Sequence, residues 1–543
     1  MSSPKKEILV LGGGFAGVYT ARCLEKILRP EEASIHIVNV ENYWVNQPLL
    51  AEVISGSVGI TDVVSPIRRL CRRTHLVMRS VESIDLRSKT VIVSPGFRPR
   101  RLELHYDYLV IALGGRTDFS RMPGMVEHAL PFRTLGDALE VRNRLIHTLE
   151  EADVETDPDM RAKLLTFVVA GGGFSGVEVL AEINDFVRRV KRNYLRLRDE
   201  PVRAVLIHSG ARILPEVDER LAFTAQKILV RRGVDLRLKD RLVAATSEKA
   251  ILKSGAEIPT KTIVSAVPSA APPVLQKLDC AKDKDRLQVN GNLELVGYEG
   301  QVWALGDCAA IKTQSGNAVP ATAQHATREA RVAAKNIAAT IRGAKPSLFS
   351  FEGLGKMGSL GHYSAVADIL GVRISGFFAW FVRRTIYLMK MPGFNRKVRI
   401  ACDWAIALIF PPDLVQVRLL RGSAISRQHF EPGEIVFNQG DLGNCVYVIE
   451  KGECDVLLEK DGETVRLAAL KGGDYFGEMA VLNDVSRSAT IRTRAAMDVL
   501  VIPKSDFDML KTAVPAFGNV FRELARTRTA AGTARTAREE NSR

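Results

Sequence analysis

The sequence predicts an α/β protein built on two Rossmann-like units, with a small β-roll behind them. Three observations predict it. A strand, a glycine turn and a helix open the chain; a near copy of that passage stands at residues 165–182; and from about Leu419 the pattern changes to short strands with turns. At 543 residues the chain has room for several domains.

The opening passage is Ile8-Leu9-Val10-Leu11, a short apolar run of strand character. Gly12-Gly13-Gly14-Phe15-Ala16-Gly17 follows, and then the helical Val18-Tyr19-Thr20-Ala21-Arg22-Cys23-Leu24. In G-x-G-x-x-G, Gly12 allows the tight turn, Gly14 lets the backbone approach a pyrophosphate, and Gly17 lets helix and strand pack closely. The helix N-terminus offers free N–H groups and partial positive charge to the anion. One such turn is a weak signal, because a plain strand-to-helix turn looks alike. The second copy strengthens it. Leu165-Thr166-Phe167-Val168-Val169-Ala170 leads into Gly171-Gly172-Gly173-Phe174-Ser175-Gly176 and then Val177-Glu178-Val179-Leu180-Ala181-Glu182. Two such units can hold two dinucleotides face to face, the layout of a hydride relay from nicotinamide to flavin. Val302-Trp303-Ala304-Leu305-Gly306-Asp307-Cys308-Ala309 adds a strand ending in Gly-Asp. Asp307 there can bond the ribityl and pyrophosphate region of FAD. The FAD half is therefore split, and closes again after an inserted NADH half.

The charge balance is basic, 76 Lys plus Arg against 62 Asp plus Glu, formally +14. That suits nucleic acid, a membrane or nucleotides. Met1 to Glu7 is polar and carries no secretory signal. No run approaches the roughly 20 apolar residues that a spanning helix needs. Seven scattered cysteines without a Cys-x-x-Cys pair point to a reducing cytosol.

With these motifs in place, the chain resembles the type II NADH dehydrogenases, single-chain NADH:quinone oxidoreductases, over residues 5–417. Asn42-Tyr43-Trp44-Val45-Asn46-Gln47-Pro48-Leu49-Leu50 resembles the family's segment near the flavin, and Asp107-Tyr108-Leu109-Val110-Ile111-Ala112-Leu113-Gly114 its crossover strand. Arg212-Ile213-Leu214-Pro215 and Gly306-Asp307-Cys308-Ala309 match too, and Val264-Ser265-Ala266-Val267-Pro268 stands for its W-x-A-G strand. Pro320-Ala321-Thr322-Ala323-Gln324-His325-Ala326-Thr327-Arg328 resembles the quinone-site helix, A-Q-x-A-x-Q. The resemblance implies FAD held by Gly12, Gly14, Phe15, Ala16, Gly17, Asn39, Glu41, Gln47, Ala112, Gly114, Asp307, Ala323 and Gln324. It implies NADH held by Gly171, Gly173, Phe174, Ser175, Gly176, Glu178 and Ser209. Gln324 would face the quinone, Glu178 would handle protons near nicotinamide and flavin, and Arg328 stands where the family has a second Gln. Related enzymes often form homodimers, which the sequence leaves open.

Two further departures bear on the riboses. Ile37-Val38-Asn39-Val40-Glu41 has Asn39 where an acid usually sits, with Glu41 two residues on. Leu206-Ile207-His208-Ser209 has no acid at all. An acid there bonds the ribose 2′-OH and repels a 2′-phosphate, so NADPH stays open beside NADH. Disulfide reductases carry a C-x4-C pair and sulfide:quinone reductases use cysteines to carry sulfur; here Cys23 and Cys71 are isolated, and Cys308 reads as a packed residue.

Residues 369–402 contain no Asp or Glu and seven Lys or Arg. At 3.6 residues per turn, Phe378, Val382, Ile386 and Met389 share a face flanked by Phe377, Phe381 and Leu388, with Arg383 and Lys390 opposite. Trp404-Ala405-Ile406-Ala407-Leu408-Ile409-Phe410 is a second apolar run. The pattern fits an interfacial helix on an anionic membrane surface, and equally a core helix or dimer contact. The resemblance favours the membrane, as a peripheral protein on its cytoplasmic face, and brings Arg383 or Arg384 to the flavin edge.

In the C-terminal module, Val446-Tyr447-Val448-Ile449 and Cys454-Asp455-Val456-Leu457-Leu458 read as strands, with hairpin signals at Lys451-Gly452 and Asp461-Gly462. Tyr475-Phe476-Gly477-Glu478-Met479-Ala480 and Ser486-Arg487-Ser488-Ala489-Thr490 resemble the phosphate-binding cassette of cyclic nucleotide-binding domains. The resemblance gives Arg487 the cyclic phosphate of cAMP or cGMP, Glu478 the ribose 2′-OH, Gly477 a close backbone N–H and Ser488 a hydroxyl. No helix-turn-helix follows, so no nucleic acid is expected as partner.

The expected order is therefore FAD-binding over 1–118 and 292–345, NADH-binding over 119–291, a membrane-associated amphipathic segment over 346–417, a cyclic nucleotide-binding β-roll over 418–525, and a disordered tail over 526–543. The expected activity is hydride transfer from NADH to FAD and electron transfer on to a membrane quinone, without proton pumping, modulated by cyclic nucleotide. A flavin-based redox and nucleotide sensor, and a dehydrogenase with a soluble acceptor, are the alternatives.

Overall fold

The computed structural model describes residues 5–96, 100–119, 122–246, 248–267, 270–313, 316–410, 412–417, 426–430, 432–460, 463–483 and 485–513. Pro268, the Asp461-Gly462 turn and the tail 526–543 lie outside them. The chain forms two units, one of residues 1–91 and 104–418, the other of residues 92–103 and 419–543.

In the first unit, Lys6–Leu11 pairs in parallel with Ala33–Asn39 on one side and Tyr108–Ile111 on the other. His75–Met78 and Val302–Ala304 complete five parallel strands. Ile8 to Leu11 are buried throughout, which is why the run is continuously apolar and not alternating. A second five-stranded parallel sheet is inserted before Val302: Ala129–Pro131, Thr262–Ser265, Thr166–Ala170, Arg203–His208 and Val234–Leu238. The split first sheet expected from the sequence is thus observed.

Helix α1 (Phe15–Ile27) leaves the first glycine turn and α2 (Phe174–Val190) the second. Helix α3 (Ala323–Ile341) packs along α1. The stretch expected to be an amphipathic segment begins differently, as an antiparallel sheet of Gly355–Ser359, Ala365–Ile369 and Val372–Ser375. Only then come α4 (Gly376–Lys390) and α5 (Phe394–Ile409). They are separated by Met391-Pro392-Gly393; the residue before a proline avoids the helical region, and Gly393 turns the chain with φ +93°. Among the described residues no helix is long and apolar enough to cross a membrane.

The second unit contains two four-stranded antiparallel sheets. One orders Ser426–Phe430, Met497–Pro503, Cys445–Lys451 and Tyr475–Phe476; the other Ile435–Phe437, Thr490–Thr493, Glu453–Lys460 and Glu463–Lys471. Phe476, Ile491, Met497, Val499 and Val501 belong to its core. This is the expected β-roll, with one correction. Lys451-Gly452 is not a hairpin turn, because the strands on either side lie in different sheets. Gly452 is a corner, with φ +93° and a position where a Cβ would lie 2.4 Å from the Ala496 carbonyl oxygen.

A Cβ on Gly176 would fall 1.9 Å from the Gly171 oxygen. Helix propensity alone would make Gly176→Ala stabilising by about 1 kcal/mol. The packing reverses that sign, and we expect a loss of roughly 2–4 kcal/mol, read as a lower denaturant midpoint.

Candidate functional site

The first glycine turn separates three roles in space. Gly12 has φ +106°, and a Cβ there would lie 2.3 Å from the Ala112 oxygen. A Cβ on Gly17 would lie 1.9 Å from the Gly12 oxygen, whereas nothing stands within 4 Å of Gly14. Two glycines are demanded by crowding, and the third faces open space. No side chain caps α1 and no acid lies in its first turn, so its N-terminal N–H groups suit an anion. Gly306 packs against Ala16, and Asp307 pairs with Arg133 at 2.8 Å. Gly114 lies 3.7 Å from the same guanidinium, measured from a Cβ built on it, and the Gln47 amide is 3.5 Å from the Arg133 oxygen. Phe15 meets Trp44 edge-on at 4.8 Å. Gly12, Gly14, Phe15, Ala16, Gly17, Gln47, Ala112, Gly114 and Asp307 are thus brought together, with Arg133 as an unforeseen member. The open Gly14 face and the uncapped helix fit a dinucleotide.

Asn39 closes the turn from below. Its Oδ1 accepts the Gly13 N–H at 2.8 Å and its Nδ2 donates to the Glu41 carbonyl at 2.8 Å. Glu41 itself is exposed. In the second turn His208 takes the equivalent place, with its Nδ1 accepting the Gly172 N–H at 3.2 Å. Gly171 has φ +122°. Gly173 is less open than Gly14, since the Glu216 carboxylate lies 3.0 Å from a Cβ built there. Ser175 and Ser209 are exposed. The Phe174 ring packs over Gly358.

Beyond the turns lies a chain of buried charges. Arg383, 1% exposed, donates to Glu52 at 3.0 Å, to Glu178 at 2.8 Å and to the Pro48 carbonyl at 2.9 Å. Arg384 and the Trp404 indole each donate to the other Glu52 oxygen at 3.0 Å. The Arg384 guanidinium sits over Trp380 and Trp404, at 4.2 and 4.6 Å from the ring centroids. Glu178 also accepts the Ser359 N–H at 2.9 Å. Burial pushes Glu52 up, but Arg384 and Arg383 more than offset it and hold the carboxyl below its ordinary value. Glu178 has one guanidinium to share; burial dominates there and the group is raised. Glu182, one turn further along α2, is buried beside the Glu52 charge and pushed up to about 8. Neighbouring carboxylates are thus pushed to opposite sides of their ordinary values.

Gln324 and Glu178 meet one strand. The Gln324 amide donates to the Gly355 carbonyl at 3.1 Å, while Glu178 accepts from Ser359. Four residues of strand place these anchor points about 13 Å apart. Arg328 donates to the Gln324 carbonyl at 3.0 Å and lies 4.0 Å from the Phe351 ring centroid. His325 bonds Thr322 at 2.7 Å, and its Nε2 is buried without a partner. Ala323 begins α3 beside Gln324. Glu329 on the same helix accepts the Gly306 N–H at 2.8 Å; burial raises it to about 7.

Helix α4 differs from expectation on one face. Phe377, Phe378, Phe381 and Met389 are exposed, Phe378 by 65%, as is Lys390. Arg383 does not share a solvated basic face with Lys390. It turns inward, where Glu52, Glu178 and the Pro48 carbonyl accept from its two terminal nitrogens.

In the second unit, Arg487 is buried between elements of the roll. It donates to the Gly477 carbonyl at 2.7 Å and to the Cys445 carbonyl at 2.8 Å, and lies 4.1 Å from the Phe437 ring centroid. Its Nε has no partner. Gly477 has φ +85°, and a Cβ there would strike the Arg487 guanidinium at 2.4 Å. The glycine makes room for the arginine. Glu478 is buried and Ser488 exposed.

Residues 6–330 match the family described as pyridine nucleotide-disulphide oxidoreductase, and residues 427–512 match the cyclic nucleotide-binding domain. The demethylphylloquinone reductase NdbB of Synechocystis sp. is 29% identical over 412 residues, covering 74% of this chain and 96% of that protein. The type II NADH:quinone oxidoreductase Ndh of Mycobacterium tuberculosis is 27% identical over 422 residues, covering 75% and 88%. Among solved structures, NDH2 from Plasmodium falciparum in complex with NADH superposes with a TM-score of 0.69 at 17% identity, over 76% of this chain and all of that one. That likeness speaks for the fold.

The raised Glu182 makes a stability prediction. Its carboxyl keeps its proton when folded and loses it near pH 4.5 when unfolded, so the stability it contributes is present at low pH and lost as pH rises toward about 8. Thermal midpoints across that range should fall less in Glu182→Gln than in the parent chain. Superimposable pH curves would contradict the assignment.

Proposed function

We propose that this chain, which belongs to the pyridine nucleotide-disulphide oxidoreductase family and carries a cyclic nucleotide-binding domain behind it, oxidises NADH and passes the electrons to a membrane quinone. FAD, when bound, supplies the hydride acceptor and the electron carrier. The observation that carries the reading is the shared strand Gly355–Ser359. It fixes Glu178 at one end and Gln324 at the other, between the helix of the second glycine turn and the helix that packs on the first. By name, one relative is a demethylphylloquinone reductase and the other an NADH:quinone oxidoreductase, and they match along 96% and 88% of their length.

The chain's own residues divide the work. The Gly12–Gly17 turn and Asp307 with Arg133 hold the flavin dinucleotide; the Gly171–Gly176 turn holds NADH, with NADPH open as a second donor. Glu178 holds or releases a proton at its carboxylate while Arg383 keeps it in place. Gln324 presents its amide to the quinone headgroup, and Arg328 on Phe351 walls the same region. The exposed Phe377, Phe378, Phe381 and Met389, with Lys390 nearby, suit the surface of an anionic bilayer, from which a quinone is delivered. In the second unit, the unpartnered Arg487 Nε is a donor left for the phosphate of a cyclic nucleotide. Occupancy of that site modulates turnover.

The test is steady-state oxidation of NADH by the FAD-loaded chain on liposomes with a ubiquinone analogue, with and without cAMP or cGMP. Fast quinone-dependent turnover is expected, shifted by one of the two nucleotides. Gln324→Ala should lower quinone turnover by about 10-fold or more while leaving flavin reduction by NADH intact. Flavin reduction without quinone reduction in the parent chain would sink the proposal and favour a redox sensor.

A further inference from the structure

Arg142, on the helix Leu135–Val154, is buried in the first unit at 6% exposure. Both of its terminal nitrogens go to backbone carbonyls. Nη1 donates to the Ile54 carbonyl at 2.9 Å and Nη2 to the Asp413 carbonyl. The guanidinium lies 5.1 Å from the ring centroid of Phe186 on α2. Gly56, with φ +70°, makes room for it: a Cβ there would stand 3.1 Å from Nη1. Burial disfavours the charge of Arg142, and the Asp413 carboxylate favours it.

The two carbonyls belong to stretches with different tasks. Ile54 ends the one-turn helix Ala51–Ile54, which carries Glu52. The last carbonyls of a helix have no partner within it, and so short a helix has few bonds of its own. Its place depends on outside donors such as Arg142. Asp413 belongs to residues 412–417, the stretch that leads toward the second unit at Leu419. Asn143, the next residue of the same helix, donates its Nδ2 to the Val417 carbonyl at 2.7 Å, and its Oδ1 is buried without a partner. Neighbouring side chains thus hold both ends of the stretch. Drawing it away would take an acceptor and a counter-charge from a buried guanidinium. Arg142 would then shift toward new acceptors and leave the Ile54 carbonyl unpaired. That would loosen the helix that sets Glu52 against Arg383 and Arg384.

We propose that Arg142 is a positioning residue for Glu52, and that cyclic nucleotide bound in the second unit changes turnover through it, by altering the hold of Arg142 and Asn143 on residues 412–417. The proposal rests on the reading that such a nucleotide modulates turnover.

The test combines hydrogen exchange with turnover on the FAD-loaded full chain, on liposomes with a ubiquinone analogue, with and without cAMP or cGMP. Calorimetry on the same chain reports nucleotide binding. The nucleotide that binds should shift turnover and should change amide exchange in residues 51–57 and 413–417 by about 5-fold or more. Arg142→Lys keeps the charge but not the fork that reaches two carbonyls. It and Asn143→Ala should bind the nucleotide within about 3-fold of the parent chain and lose at least about half of the turnover shift. A role in stability alone would lower the denaturant midpoint and leave that shift intact. Turnover that shifts on binding while residues 51–57 exchange as before would overturn the proposal and leave the modulation standing, as would a full shift in both variants. Nucleotide that does not bind, or binds without moving turnover, would overturn the modulation itself, and this proposal with it.

Discussion

The site depends on the buried chain Glu178–Arg383–Glu52–Arg384. It ties three stretches that are far apart in sequence: the one-turn helix Ala51–Ile54, helix α2 of the inserted sheet, and helix α4. Breaking such a chain leaves an uncompensated charge in the interior, at a cost of about 3–5 kcal/mol. The pairing does not need to add much net stability to matter. It decides which way α4 faces. With Arg383 and Arg384 drawn inward, the aromatic residues of that helix are left outside. The orientation of the surface proposed to meet the membrane thus follows from where the carboxylates lie.

The same chain sets the protonation states near the proposed reaction. Two guanidiniums hold Glu52 charged, and that charge helps keep the proton on Glu182. Glu178 is raised by burial, against the pull of one shared arginine and a backbone N–H. Gln324, at the other end of the same strand, carries no charge and serves position.

Much of the fold was legible because its constraints are local. The glycine turns could be read directly: Gly12, Gly17, Gly171 and Gly176 are sites where a side chain would collide with backbone. Continuous apolar runs marked the parallel strands. The cassette was legible for a related reason, since Gly477 makes space for Arg487. Long-range pairing was not legible. Glu52 and Arg383 are 331 residues apart, and no periodicity connects them. A signal did exist, an acid inside Leu49-Leu50-Ala51-Glu52-Val53-Ile54 and a pair of arginines inside an aromatic helix. Charges within apolar runs are usually paired when buried, but the partner cannot be read from one chain. Lys451-Gly452 misled because a glycine with positive φ suits a sheet corner as well as a hairpin.

The most direct test of this account is a double-mutant cycle on Arg383 and Glu178. Stability would be followed by denaturant unfolding of Arg383→Ala, Glu178→Ala and the double variant. The account predicts a coupling of about 1.5–3 kcal/mol, because Arg383→Ala strands the Glu178 carboxyl and Glu178→Ala leaves Arg383 with Glu52 as its one acidic partner. Additivity within about 0.5 kcal/mol would contradict it, and would mean that the Glu178 link carries none of the hold on α4.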